Sequence, residues 1–140
     1  MFRLLSPDLV ELIHDEVLNP NELAGRARDK SLEGTLSRVD NRLAYGLIED
    51  AFALAASYAE AIAQGHCFND GNKRTAFRSM YAILVLNGVN ISFETEDIAD
   101  RIILLAQGKI EAESLAEWLR TLAANRSEEH TSELQSHLNL

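Results

Sequence analysis

His66-Cys67-Phe68-Asn69-Asp70-Gly71-Asn72-Lys73-Arg74-Thr75-Ala76 joins two stretches of helical character, and its setting decides the fold. Upstream, Leu47 to Gln64 is rich in alanine, and Phe52, Leu54, Tyr58 and Ile62 leave few charges on any face. A helix so poor in charge is central and buried. Gly65 stands where a C′ glycine belongs. Downstream, a helix starts near Gly71 and runs to about Asn87, with an apolar later part from Met80 to Leu86 and Gly88 as its stop. A short polar loop is thus held between two core helices.

The same period extends outward. Ser6-Pro7 reads as an N-cap followed by a first-turn proline, and Leu9, Leu12, Ile13 and Val17 continue with helical spacing until Asn19-Pro20-Asn21. Asn21 to Lys30 is polar, contains Gly25 and reads as a loop. Ser31 to about Val39 predicts a short second helix, and Asp40 to Gly46 a loop or small flap. Val89 to Phe93 could be extended, with Thr95 as N-cap of a fifth helix ending at Gln107-Gly108. Ser114-Leu115-Ala116-Glu117 fits a capping box opening a last helix through Trp118 and Leu122. The expectation is an all-α bundle of about six helices.

The composition limits the function. A chain of 140 residues suits one domain, and 46% hydrophobic with 25% charged residues is ordinary for a globular one. Asp and Glu number 22 against 13 Lys and Arg, a formal charge of −9, which disfavours general nucleic-acid binding. The single cysteine, Cys67, excludes an internal disulfide framework and fits a reducing compartment. The longest purely apolar runs, Ala51 to Ala56 and Tyr81 to Leu86, are too short to span a bilayer. No signal peptide is seen, so a cytoplasmic location is expected, with no membrane partner.

Residues 126–140 stand apart. They lack an apolar period and resemble the translation of a DNA sequencing adapter. The expectation is a domain over residues 1–125 and an appended, non-native, disordered tail over 126–140, with the natural chain diverging near Ala124 to Arg126.

The chemistry lies in the loop. The first turn of a helix offers unpaired N–H groups and the positive end of the dipole, an anion site before side chains are counted. Gly71 permits close backbone approach, Lys73 and Arg74 add charge, and Asn72 can donate an amide hydrogen bond. Cations at a helix N-terminus oppose the dipole, which favours a bound anion. Asp70 is the kind of carboxylate that holds Mg²⁺ together with substrate phosphates. His66 carries an imidazole, which can take a proton from an attacking hydroxyl. Phe68 would anchor the loop. Taken singly, Asp70 reads as an N-cap and His66 as a loop residue bonded to a carbonyl. Within nine residues, the set reads as a nucleotide phosphate-transfer site without a Walker sequence. Cys67 is expected as a small buried residue rather than half of a Cys–His dyad. His14 is expected on the polar surface of the first helix, and Trp118 in the core or at its edge.

His-x-Phe-x-Asp-Gly-Asn-Lys-Arg at 66–74 resembles the signature of the Fic/Doc superfamily, most of all its death-on-curing (Doc) toxin branch. The likeness covers most of residues 4–122, including the Leu-Ser-Pro-Asp opening and Leu86-Asn87-Gly88. It implies a compact all-α fold and transfer of a phosphate-containing group from ATP to a protein hydroxyl. By that resemblance His66 is the general base, Asp70 the Mg²⁺ ligand and Phe68 a structural anchor. Gly71, Asn72, Lys73 and Arg74 would bind phosphate, and a flap of Asp40, Asn41, Arg42, Leu43, Ala44 and Tyr45 would align the target. Typical Fic adenylyltransferases read Gly-Asn-Gly-Arg with a further Arg three positions on. Here those positions hold Lys73 and Phe77, and Arg78 is about 100° away around the helix. The Doc branch carries the lysine and phosphorylates a threonine of elongation factor Tu with ATP in reversed orientation, inhibiting translation. The resemblance therefore implies a kinase toxin of a toxin–antitoxin module, restrained by an antitoxin helix in a groove. Gly71, where a Doc toxin has alanine, leaves protein adenylyl transfer (AMPylation) open. A nucleotide-binding regulatory module without turnover is the third reading.

Overall fold

The computed structural model describes residues 1–124; the expected tail at 126–140 lies outside the described residues. Within them are six helices and no strand: α1 Pro7–Val17, α2 Leu32–Ala44, α3 Ala51–Gly65, α4 Asn72–Leu86, α5 Thr95–Ala106 and α6 at 112–124. An isolated antiparallel bridge pairs Arg26 with Phe68.

Helix α3 is the axis of the bundle and packs against α2, α4 and α5. Its alanines let neighbours approach, while Leu54, Tyr58 and Ile62 are buried in the core. Each such side chain contributes about 1.5–3 kcal/mol. This fixes the helix from whose end His66 projects. Gly65 is used for proximity: a Cβ there would lie 2.8 Å from both Thr35 Oγ1 and Thr35 Cγ2 of α2. Tyr58 Oη donates to the Leu5 carbonyl and accepts from its N–H, both at 3.1 Å, which pins the N-terminal segment.

Several boundaries differ from those read in the sequence. Helix α2 does not stop at Val39 but continues to Ala44, so Asp40, Asn41, Arg42, Leu43 and Ala44 are helical rather than a flap. Leu32, Leu36, Val39 and Leu43 form one apolar stripe that faces the core, and Arg42 reaches Glu60 of α3 at 3.4 Å. Those tertiary contacts override the weak helix propensity of Asp and Asn. Helix α3 begins later than Leu47, because Asp50 caps it by accepting from the Ala53 N–H at 2.8 Å. Burial pushes the Asp50 carboxyl up, but the Arg120 guanidinium and the Ala53 and Phe52 amides outweigh it and hold it below the usual carboxylate range. Thr95 is the first helical residue of α5 and not its cap. Ser114 lies inside α6, whose Ala112 N–H is instead bound by the Glu60 carboxylate at 2.6 Å.

Candidate active site

The loop between α3 and α4 is fixed at several points. Helix α3 runs through Gly65, and His66 takes the left-handed conformation (φ 50°, ψ 40°) expected one position earlier. A non-glycine residue there is uncommon and is held by its surroundings. Cys67 and Phe68 are buried just behind it, while His66 itself is exposed. The Cys67 Sγ lies 3.1 Å from Thr35 Oγ1. The Asn72 side chain closes the loop, accepting from the Phe68 N–H at 3.0 Å and donating to the Phe68 carbonyl at 2.8 Å. Its side-chain amide thus serves the loop. Across the loop, the Ala27 N–H donates to the Cys67 carbonyl at 2.7 Å and the Asn69 N–H to Gly25 at 3.1 Å. Arg26 ties that crossing segment to Glu11 of α1 and Glu33 of α2.

Helix α4 starts unlike its predecessors. Ser6, Ser31 and Asp50 cap α1, α2 and α3 with side-chain oxygens, whereas the N-cap of α4 is Gly71 and provides none. No acidic residue stands in its first turn, where Lys73 and Arg74 sit. Helix α5 is also uncapped, but Glu96 and Asp97 answer its dipole. Gly71 has φ +81°, a conformation glycine adopts freely. The first turn of α4 borders a polar cavity of about 340 Å³, which His66, Asp70, Gly71, Asn72, Lys73 and Arg74 line together with Glu22, Ala63 and Asn69.

Two motif side chains are tied to the turn after α1. Asp70 Oδ2 accepts from the Leu23 N–H at 2.8 Å. Arg74 pairs with the Glu22 carboxylate and donates to the Val17 carbonyl. The Arg74 guanidinium and the Asn19 N–H hold the Glu22 carboxyl below its usual range. Lys73 is exposed at the cavity. Asp70 fits a Mg²⁺ ion in one respect: it presents a carboxylate beside an anion-receptive cavity, the way Mg²⁺ is held by one or two carboxylates plus substrate phosphates. The described residues form no all-protein cage of three or more His, Cys, Asp or Glu.

The Fic/DOC family model matches residues 4–84, which run from before α1 through most of α4. This chain belongs to the Fic/DOC family. Among curated proteins, the protein kinase doc of Escherichia phage P1 is 38% identical over 121 residues, 86% of this chain and 95% of that protein.

A second, apolar groove of about 560 Å³ opens beside the Fic/Doc motif. Lys73 and Arg74 border both it and the polar cavity. Phe77, Tyr81 and Phe93 line it as mutually packed rings, with centroids 5.6–6.3 Å apart. Trp118 packs behind Phe93 at 6.1 Å and carries Arg101 over its ring at 3.9 Å.

The structure does not bring the expected flap residues to the cavity. Helix α2 runs antiparallel to α3, with Thr35 beside Gly65 and Cys67 but Arg42 beside Ser57. Tyr45 is ten residues past Thr35, about 15 Å along the helix away from His66. The chain that does cross the motif is Gly25–Ala27. His14 is also misplaced by the sequence reading: it is fully buried, not on the surface. Its ring stacks on Phe68 at 3.8 Å and 7°. Glu22, His14 and Arg26 carried no signal, because their partners lie in the motif or on other helices.

Proposed function

We propose that this Fic/Doc protein is a Doc-like toxin and an ATP-dependent protein kinase, transferring the γ-phosphoryl group to a Ser or Thr hydroxyl of a translation factor. The observation that carries this reading is one cavity that unites His66, Asp70 and the uncapped, basic start of α4. Lys73 in place of a second glycine favours the kinase over the adenylyltransferase, as does the likeness to the protein kinase doc of phage P1.

The triphosphate lies against the backbone amides of Gly71 to Arg74, with Lys73 as a point charge on its oxygens. The adenosine occupies the adjoining groove, where Phe77, Tyr81 and Phe93 offer ring faces. Mg²⁺ on Asp70 would neutralise phosphate charge. His66 accepts the proton of the target hydroxyl as that oxygen bonds to the γ-phosphorus and the bond to ADP breaks. Positioning and electrostatics then supply most of the catalysis. Glu22 occupies Arg74 in the resting protein, so this arginine exchanges a carboxylate for phosphate when nucleotide binds.

The target segment lies along Gly25–Ala27, which borders the loop carrying His66 and takes the role first expected of Asp40 to Tyr45. Elongation factor Tu is the proposed target, which places the activity in the cytoplasm; no described helix is long and apolar enough to cross a membrane. A cognate antitoxin lays a helical segment in the groove between α1 and α4 lined by Ile13, Val17, Phe77, Tyr81 and Ala82. The test is incubation of purified protein and lysate with ATP labelled on either the α or the γ phosphate. Label from the γ position alone should reach protein. Transfer of α label would assign adenylylation, and binding without transfer would assign a regulatory module.

A further inference from the structure

His14 does not line the cavity, yet it touches the loop that builds it. It is fully buried in α1, and its ring lies flat on Phe68. Its Nε2 is 2.7 Å from the backbone oxygen of Asp70. A carbonyl oxygen only accepts, so Nε2 carries the hydrogen. Nδ1 faces the Asp15 carboxylate at 3.4 Å. A Cβ on Gly71 would sit 3.5 Å from the same ring, so the ring also walls one side of the N-cap.

We propose that His14 is a positioning residue for the phosphate cradle: by holding the Asp70 carbonyl, it fixes the Asp70–Gly71 peptide so that the Gly71 N–H faces the cavity. This rests on the reading that anions bind at the start of α4. The C=O and N–H of a trans peptide point in opposite directions, and the described residues contain no cis bond. With the carbonyl drawn to His14, the Gly71 N–H points away from α1, and Gly71 lines the cavity. A tether is needed because glycine is the residue whose own sterics least restrict the backbone. The side-chain clamp of Asn72 holds Phe68, two residues earlier, and leaves this peptide unfixed. The Leu23 N–H holds the Asp70 side chain and the Thr75 N–H and Oγ1 hold the Gly71 carbonyl, which leaves the His14 bond to act on the 70–71 peptide itself.

Two variants separate orientation from packing. His14→Phe keeps a ring on Phe68 and removes the donor; His14→Gln keeps an N–H near the Nε2 position and removes the ring. ATP affinity is measured by calorimetry, and the Gly71 amide resonance by ¹⁵N NMR, neither of which needs turnover. The expected result is ATP binding about ten-fold weaker in His14→Phe, the scale of one hydrogen bond, with a displaced Gly71 resonance. His14→Gln should stay within about three-fold of wild type. Equal affinity and an unmoved Gly71 resonance in His14→Phe would overturn the proposal. So would equal losses in both variants, which mark a packing role alone. If wild-type protein binds no ATP, the functional reading fails with it; if wild type binds and His14→Phe binds as well, only the His14 role fails. Should His14→Phe not fold, His14→Asn replaces it, since its amide ends too early to reach Asp70.

Discussion

Replacing Gly65 by alanine tests how the end of α3 is set. The new Cβ would meet Thr35 Oγ1 and Cγ2 at 2.8 Å and Cys67 Sγ at 3.2 Å. Thr35 is branched at Cβ and buried, so it has no flexible end to swing aside. Overpacking of this kind costs about 1–3 kcal/mol. Alanine returns part of that, at most about 1 kcal/mol, through better helix propensity. The net expectation is roughly 1–2 kcal/mol of destabilisation, a Tm lower by roughly 4–8 °C. Because His66 is the next residue, phosphotransfer should fall by more than the loss of folded protein explains. Thermal melts of Gly65→Ala, Thr35→Ala and the double variant form the assay. Thr35→Ala removes both clashing atoms, so the double variant should be about as stable as Thr35→Ala alone, a coupling of about 1–2 kcal/mol. If Gly65→Ala melts at or above the wild-type temperature, or the two changes add, the close approach of α2 and α3 is not what this glycine serves.

His66→Ala should keep the wild-type Tm and lose growth arrest in cells; continued arrest removes the general-base role. Glu22→Gln should strengthen ATP binding about two- to five-fold by releasing Arg74, measured by calorimetry, and weaker binding would contradict a carboxylate competing with phosphate. Arg120→Ala should destabilise the protein at pH 7 and less so at pH 3. The Asp50 carboxyl lies below its ordinary value in the folded state, so the stability it draws from Arg120 is complete above about pH 3.9. It is lost as pH falls through the lower folded value. Urea titrations at the two pH values measure this, and an unchanged penalty would refute the pairing.

The helices were legible where an apolar stripe met local signals. Ser6-Pro7, the alanines of 51–63 and Gly88 sufficed for α1, the body of α3 and the end of α4. Reading failed where partners distant in sequence decide. The Glu60 carboxylate, not Ser114, binds the start of α6. Core contacts of Leu43 carry α2 through Asp40 and Asn41. The motif residues were visible as a cluster because one short loop carries all of them. Glu22 on Arg74, Gly25–Ala27 across the loop and His14 beneath it become neighbours only when α1 and α2 pack, and no local pattern marks them. Asn72 was legible as a motif member but not in its action, since its amide turns inward to Phe68.

The measurement closest to the central claim is a ¹⁵N–¹H titration of the protein with ATP and Mg²⁺. The largest and saturable shifts should fall on the amides of Gly71, Asn72 and Lys73, where the uncapped end of α4 meets the cavity. Saturating ATP that leaves those amides unmoved, or shifts confined to another face of the bundle, would contradict the account.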